Sequence, residues 1–212
     1  MVRSWSVRAS LGGAAVVALL LAGCGTGGDD AATPPSTPAS AAASGAPSPG
    51  ATPADYVPAS LEGPAQNVPR PVMPELAKQE TREGAQAFLD YWSDAMWYAY
   101  QTGDTSYARE ITSSHCEVCF AELDELEDVY DDGKWTAGGR ESIEIQDTDI
   151  VEAADGIYKP VIVYKREPGK LIAEQDVEVD APGESGDKSL LYMDYFDSKW
   201  VYITLAPIPG EQ

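Results

Sequence analysis

Positive charge is what this chain has least of. Its 212 residues hold 14 Lys and Arg against 35 Asp and Glu. Residues 71–212 keep the imbalance, with 11 basic and 31 acidic residues. Nucleic-acid binding begins by neutralising phosphates, so a nucleic-acid partner is excluded as a default. Adsorption of this part of the chain onto an anionic lipid surface is disfavoured for the same reason. Histidine occurs once and cysteine three times, so no second Cys/His pair exists to complete a tetrahedral zinc site. No internal repeat is visible. No apolar run reaches the ~20 residues that cross a bilayer as a helix. What is present is 43% hydrophobic residues, enough to reject disorder throughout.

The composition divides the chain into residues 1–23, 24–70 and 71–212. The first eight residues contain Arg3 and Arg8 and no acid. An uncharged run, Ala9 to Gly23, follows and is rich in Ala, Leu and Val. A positive start and a short apolar core form an export signal. The run is too short and too rich in glycine (Gly12, Gly13, Gly23) for a permanent span. It ends in Leu21-Ala22-Gly23-Cys24, which resembles the lipobox of bacterial lipoproteins at all four of its positions. The resemblance implies diacylglycerol transfer to the Cys24 sulfur and signal-peptidase cleavage between Gly23 and Cys24. Two acyl chains anchor stably at ~0.8 kcal/mol per buried methylene, where one is marginal. The expected location is the extracytoplasmic face of the cell membrane, held by the lipid. The alternatives are an ordinary secretory signal and an uncleaved anchor.

Residues 25–70 contain nine prolines, with Ala, Ser, Thr and Gly filling most of the rest. Such a segment buries too little surface to offset its ordering entropy, so the expectation over 24–70 is a disordered tether. As a flexible coil it spans ~40 Å, and fully extended ~140 Å.

From Glu75 to Gln101 the apolar residues Phe88, Leu89, Trp92, Met96, Trp97 and Tyr100 recur at three- and four-residue steps, which predicts a helix ended by Gly103. Asp104 is placed to N-cap a short second helix through Thr112. A third runs from Val118 to Asp131, with Gly133 as its stop. After Gly139 the period becomes two. Strands are predicted at Arg140–Val151, Gly156–Glu167, Lys170–Asp180, Ser189–Phe196 and Lys199–Ala206. Pro160 asks for an edge or a bulge. Helices first and antiparallel strands after them imply an α+β domain, three helices packed on one curved sheet. This order, over residues 78–206, resembles the nuclear transport factor 2-like cone, the fold of ketosteroid isomerase and the SnoaL polyketide cyclases. The stretch from Phe88 to Cys119 is similar to small lipoproteins of high-GC Gram-positive bacteria. Neither likeness carries a catalytic residue over to this chain.

Once Cys24 is assigned to the anchor, Cys116 and Cys119 remain, spaced Cys-x-x-Cys after His115. An oxidising compartment and a tight bend between two helices favour a structural disulfide. Three other readings stay open. A redox site is disfavoured by the preceding helix and by Glu117, whose charge raises thiol pKa values. A metal site lacks a fourth ligand, and a thiol nucleophile assisted by the adjacent His115 lacks geometry. Seven acids lie between Glu122 and Asp132. They fail an EF-hand alignment at Tyr130 and Gly139 and read as a solvated helix face. No metal ligand set and no cofactor is expected.

Cone-fold proteins enclose a cavity between the sheet and the first helix. Under that resemblance Trp92, Met96, Tyr100, Tyr164 and Tyr192 are candidates to line it, against the plainer role of core packing. Asp194 shares strand parity with Tyr192 and Phe196 and is the one inward acid the pattern names. The resulting expectation is a membrane-anchored binding or scaffolding domain of the cell envelope, with an envelope protein or a small ligand as partner and no catalytic residue assigned. The alternative is a small cavity enzyme of the ketosteroid isomerase or polyketide cyclase kind. An extracytoplasmic redox protein is the third reading.

Overall fold

The computed structural model describes residues 55–210. The signal over 1–23, the Gly23/Cys24 junction and the tether as far as residue 54 lie outside them. The order is a short 3-10 turn (Glu75–Lys78), α1 (Arg82–Thr102), α2 (Ser106–Ile111), α3 (Glu117–Asp131), then β1 (Trp135–Gly138), β2 (Glu141–Ile145), β3 (Val161–Arg166), β4 (Gly169–Ala173), β5 (Asp176–Ala181), β6 (Glu184–Phe196) and β7 (Lys199–Pro207). Three helices followed by antiparallel strands make an α+β domain, as the period change implied.

The strands form two sheets rather than the single expected one, ordered β1-β4-β5 and β2-β3-β6-β7, with every neighbouring pair antiparallel. The division has a local cause. Gly138 and Gly139 both take positive φ, 74° and 75°, and turn the chain out of β1 before it enters β2 in the other sheet. A Cβ on Gly138 would lie 2.4 Å from the Pro168 carbonyl oxygen, so only glycine fits that corner. The strand predicted over 170–180 is a hairpin instead. Glu174 and Gln175 turn it at φ 51° and 66°, with no Gly or Asn to announce the turn. Asp197 and Ser198 make the expected turn between β6 and β7 in the same left-handed region.

Helix α1 starts at Arg82, later than the predicted Glu75, because Glu75–Lys78 form a separate 3-10 turn. Gln79 is extended, and Thr81 is the N-cap, its Oγ1 accepting from the Gly84 N–H at 3.0 Å. Gly103, at φ 74°, ends the helix. The buried stripe Ala85, Phe88, Leu89, Trp92, Ala95 and Met96 faces Ile143, Ile145, Ile162, Leu191 and Met193 of the four-stranded sheet in one core. Helix α2 begins two residues after Asp104, whose carboxylate accepts from the Ser106 N–H at 3.1 Å. Pro160 stands just before β3, where its missing N–H costs no ladder bond, and its carbonyl accepts from the Leu191 N–H at 3.0 Å.

Residues 55–70, expected to belong to the tether, are folded against the domain. Val57 pairs with Gln66 and Ser60 with Gly63. The Tyr56 hydroxyl donates to the Gln101 amide oxygen at 3.0 Å, and its ring meets the Trp97 edge at 5.6 Å. Trp135 Nε1 donates to the Ser60 carbonyl at 2.8 Å. A few well-placed aromatic and polar contacts outweigh the low apolar content that made this stretch look disordered. Among the described residues, no helix is long and apolar enough to cross a membrane.

Candidate functional site

The side chains expected to line a cavity separate. Trp92 and Met96 are buried core residues of α1. The Trp92 ring stacks on Tyr202 with centroids 4.3 Å apart, and its Nε1 donates to Thr112 Oγ1 at 3.3 Å. On β6 the buried residues are Leu191 and Met193. Strand alternation therefore sets Tyr192 and Asp194 on the other face, where the Lys159 ammonium lies 5.4 Å from the Tyr192 ring centre. Asp194 is half-exposed, which corrects its assignment as the inward acid.

That place belongs to Glu141, the first residue of β2. It shares a face with Ile143 and Ile145, and all three are buried. Its cross-strand partner is Arg166, and that of Ile143 is Tyr164. The Tyr164 hydroxyl donates to Glu141 Oε1 at 2.5 Å. Glu141 is only 5% exposed. Among the described residues it makes no ion pair, because the Arg166 guanidinium bonds Glu184 instead, at 2.9 Å. Burial, reinforced by the Glu122 charge, raises the Glu141 carboxyl to about 7, against the pull of the Tyr164 hydrogen bond and of Arg166. The same burial and the same acids push the Tyr164 hydroxyl up, far out of the physiological range. It stays a proton donor.

Helices α1 and α3 close the cluster. The Tyr100 hydroxyl donates to Glu122 Oε1 at 2.5 Å. Burial, followed by the charges of Glu141 and Glu122, raises the Tyr100 hydroxyl well above its ordinary value. Its carbonyl accepts from the Tyr130 hydroxyl and from Thr136 Oγ1, each at 2.5 Å. Glu122 is exposed, so the cluster reaches solvent on that side. Tyr202 is buried nearby, and its hydroxyl too is raised by burial and then by Glu141 and Glu122.

Two shallow, open grooves lie on the surface of the described residues. One, of about 330 Å³, is walled by Arg140, Glu141, Ser142, Lys165, Arg166 and Glu184, with Glu167 and Ser185. The other, of about 340 Å³, lies between the 59–61 segment and the β1-β4 pair, against Ala137, Gly138, Pro168, Lys170 and Ile172. Tyr100 and Tyr164 of the expected set thus join one cluster around a carboxylate that the sequence reading missed. The signal was present: Glu141, Ile143 and Ile145 share one parity in Glu-Ser-Ile-Glu-Ile, which puts the first acid on the apolar face.

Cys116 and Cys119 are joined by a disulfide, with Cα atoms 5.2 Å apart. Cys116 is the N-cap of α3, its sulfur 3.3 Å from the Cys119 N–H. The acids of α3 point outward around buried Leu123 and Leu126. Arg109 crosses from α2 to Asp124 and Glu127, at 2.5 and 3.1 Å. No group of three or more His, Cys, Asp and Glu side chains that could hold a metal ion occurs among the described residues.

A family model described as "Family of unknown function (DUF6318)" matches residues 54–206. That span takes in the 55–70 segment as well as the helices and sheets. No curated protein and no solved structure matches.

Proposed function

The chain belongs to the DUF6318 family, a family of unknown function, and from that starting point we propose that it is an exported lipoprotein. It is anchored at Cys24 on the extracytoplasmic face of the membrane and carries a domain that binds a partner without transforming it. Support for the anchor comes from Leu21-Ala22-Gly23-Cys24 behind a basic start and an apolar run. Support for binding over catalysis comes from one observation. The buried carboxylate is already engaged by the Tyr164 hydroxyl at 2.5 Å. That hydrogen bond holds the carboxylate that a general base would have to offer to a substrate. The groove walled by Arg140, Lys165, Arg166 and Glu184 beside Glu141 is the recognition surface, and an envelope protein or a small polar ligand is its partner.

Replacing Cys24 with Ala tests the anchor. The variant is expected in the soluble fraction with its unfolding midpoint unchanged, and without the acyl mass carried by the native chain. A native chain isolated without that acyl mass would refute lipidation.

A second reading, a small enzyme of the ketosteroid isomerase or cyclase kind on a cone-like fold, is favoured by the adjacency of Glu141 and the Tyr164 hydroxyl. Mass spectrometry of small molecules carried by the purified protein separates the two. A ligand recovered unchanged supports binding. A ligand converted by the native chain but not by Glu141→Gln supports catalysis.

A further inference from the structure

An open sheet has two edges, and each edge strand presents a row of N–H and C=O groups ready to pair with another chain. In the four-stranded sheet these strands are β7 and β2. The β7 edge is met from within the chain, by the Ser113 N–H on the Tyr202 carbonyl at 2.7 Å and by the Thr112–Tyr202 bridge. Among the described residues no strand pairs with the outer edge of β2. Two side chains of α1 bond it instead. Gln86 Nε2 donates to the Ile143 carbonyl at 2.8 Å, and Gln86 Oε1 accepts from the Ile145 N–H at 2.9 Å. Arg82 donates from Nη2 to the Ile145 carbonyl at 2.9 Å and from Nε to the Asp147 carbonyl at 3.1 Å. One turn further along α1, Asp90 Oδ1 accepts from Gln86 Nε2 at 2.9 Å and steadies the amide.

The fit is one of period. Four helical residues rise about 6 Å, and two strand residues about 6.7 Å. Side chains four apart on α1 therefore reach carbonyls two apart on β2. A carboxamide carries one acceptor oxygen and an N–H donor, as a peptide unit does, so Gln86 stands in for one peptide of a missing strand. The apolar stripe of α1 shares its core with Ile143 and Ile145. The helix thus covers the inner face of β2 and reaches the edge through Arg82 and Gln86, both half-buried. We propose that the outer edge of β2 is a self-pairing surface for a second copy of this chain, held shut by Arg82 and Gln86.

The sequence of β2 names the occupant. Antiparallel pairing of two β2 strands about Ile143 sets Glu141 opposite Ile145 and Ser142 opposite Glu144. No acid faces an acid, and the pairing closes on itself by a two-fold axis. The outward N–H and C=O groups of Glu141, Ile143 and Ile145 then meet their own counterparts. Strand β5, at the edge of the three-stranded sheet, makes the contrast. The same pairing about Glu178 would set Glu178 against its own copy and Asp176 against Asp180. Like charges directly opposite are destabilising. Charge guards the β5 edge. The charges of β2 permit pairing, and there α1 does the guarding.

Sedimentation equilibrium in density-matched detergent compares the full native chain with the double variant Arg82→Ala, Gln86→Ala over a wide range of concentration. The native mass is expected to stay constant and the variant's to climb toward twice that value. Adding Ser142→Glu, at an exposed position, sets an acid against Glu144 in the pairing and should restore the native mass. Equal masses in the native chain and the double variant at every concentration would overturn the proposal. Association that Ser142→Glu leaves in place would overturn it as well. Should the double variant fail to fold, Gln86→Ala keeps the Arg82 bonds and is expected to dimerise more weakly, with Ser142→Glu again reversing it. The native chain supplies a separate reading. Its Ile145 amide should exchange slowly, because Gln86 accepts from it, and exchange as fast as in an unstructured peptide would overturn the seal. None of these outcomes depends on Cys24 or on the identity of a ligand.

Discussion

Substituting Gly84 with Ala sets two physical effects against each other. Gly84 lies in the first turn of α1, and helix propensity alone favours Ala there by about 1 kcal/mol. The tertiary structure opposes it. A Cβ on residue 84 would lie 2.0 Å from the Gln79 carbonyl oxygen and 2.9 Å from that of Leu76. Both obstacles are backbone, so no side chain can swing aside, and the gap must open by about 1 Å in a close-packed region. The Gln79 oxygen is also committed, accepting from the Thr81 N–H at 2.9 Å and from Trp200 Nε1 at 2.9 Å. Trp200 is 2% exposed. Pushing its acceptor away leaves a buried indole N–H unpaired, at a cost of about 1–3 kcal/mol. Overpacking adds about 1–3 kcal/mol. After the propensity gain is subtracted, the variant should be about 1–5 kcal/mol less stable. Urea unfolding followed by tryptophan fluorescence measures this, with Gly63→Ala as the control. No heavy atom lies within 4 Å of a Cβ at Gly63, so that change should stay within about 0.5 kcal/mol. A Gly84→Ala protein as stable as the native one would refute the steric argument.

Two further predictions concern the segments that join the helices and sheets. Trp135→Phe removes the donor to the Ser60 carbonyl and should cost about 1 kcal/mol. Proteolysis should then cut within residues 55–66 faster than in the native chain, and an unchanged cleavage rate would mean that the segment is held elsewhere. Replacing both Cys116 and Cys119 by Ala opens a loop closed over a sequence separation of only 3. The loss should not exceed about 2 kcal/mol in the chain-entropy account, read as a shift in urea midpoint with the helix signal retained. A collapse of the fold would show that the bond does more than brace the α2-α3 bend.

Much of the helical layer was legible in the chain itself. The three-and-four spacing of Phe88, Leu89, Trp92 and Met96 states which side of α1 is buried, because a helix closes its hydrogen bonds within one segment. Gly103 and Gly133 marked helix ends for an equally local reason, the left-handed backbone that glycine tolerates. The Cys116–Cys119 pairing was legible from spacing and context. Strand partners were not. Nothing near Glu174-Gln175 signals a turn, and nothing near Gly138-Gly139 says that the strands on either side enter different sheets. Those outcomes depend on pairing across long separations, as between Trp135 and Ile172.

The candidate site divides along the same line. The chain alone determined that Tyr100 and Tyr164 are aromatic residues of two elements with an apolar side, and alternation with Ile143 and Ile145 put Glu141 on the inward face of its strand. Only the tertiary structure decided that, among the described residues, this acid is without an ion-pair partner, that Arg166 turns to Glu184 instead, and that the charge of Glu122, from another helix, adds to its burial. The proton affinity of a buried carboxyl is the sum of desolvation and of charges contributed by several segments. No single window of sequence contains that sum, because its parts come together only when the chain has folded.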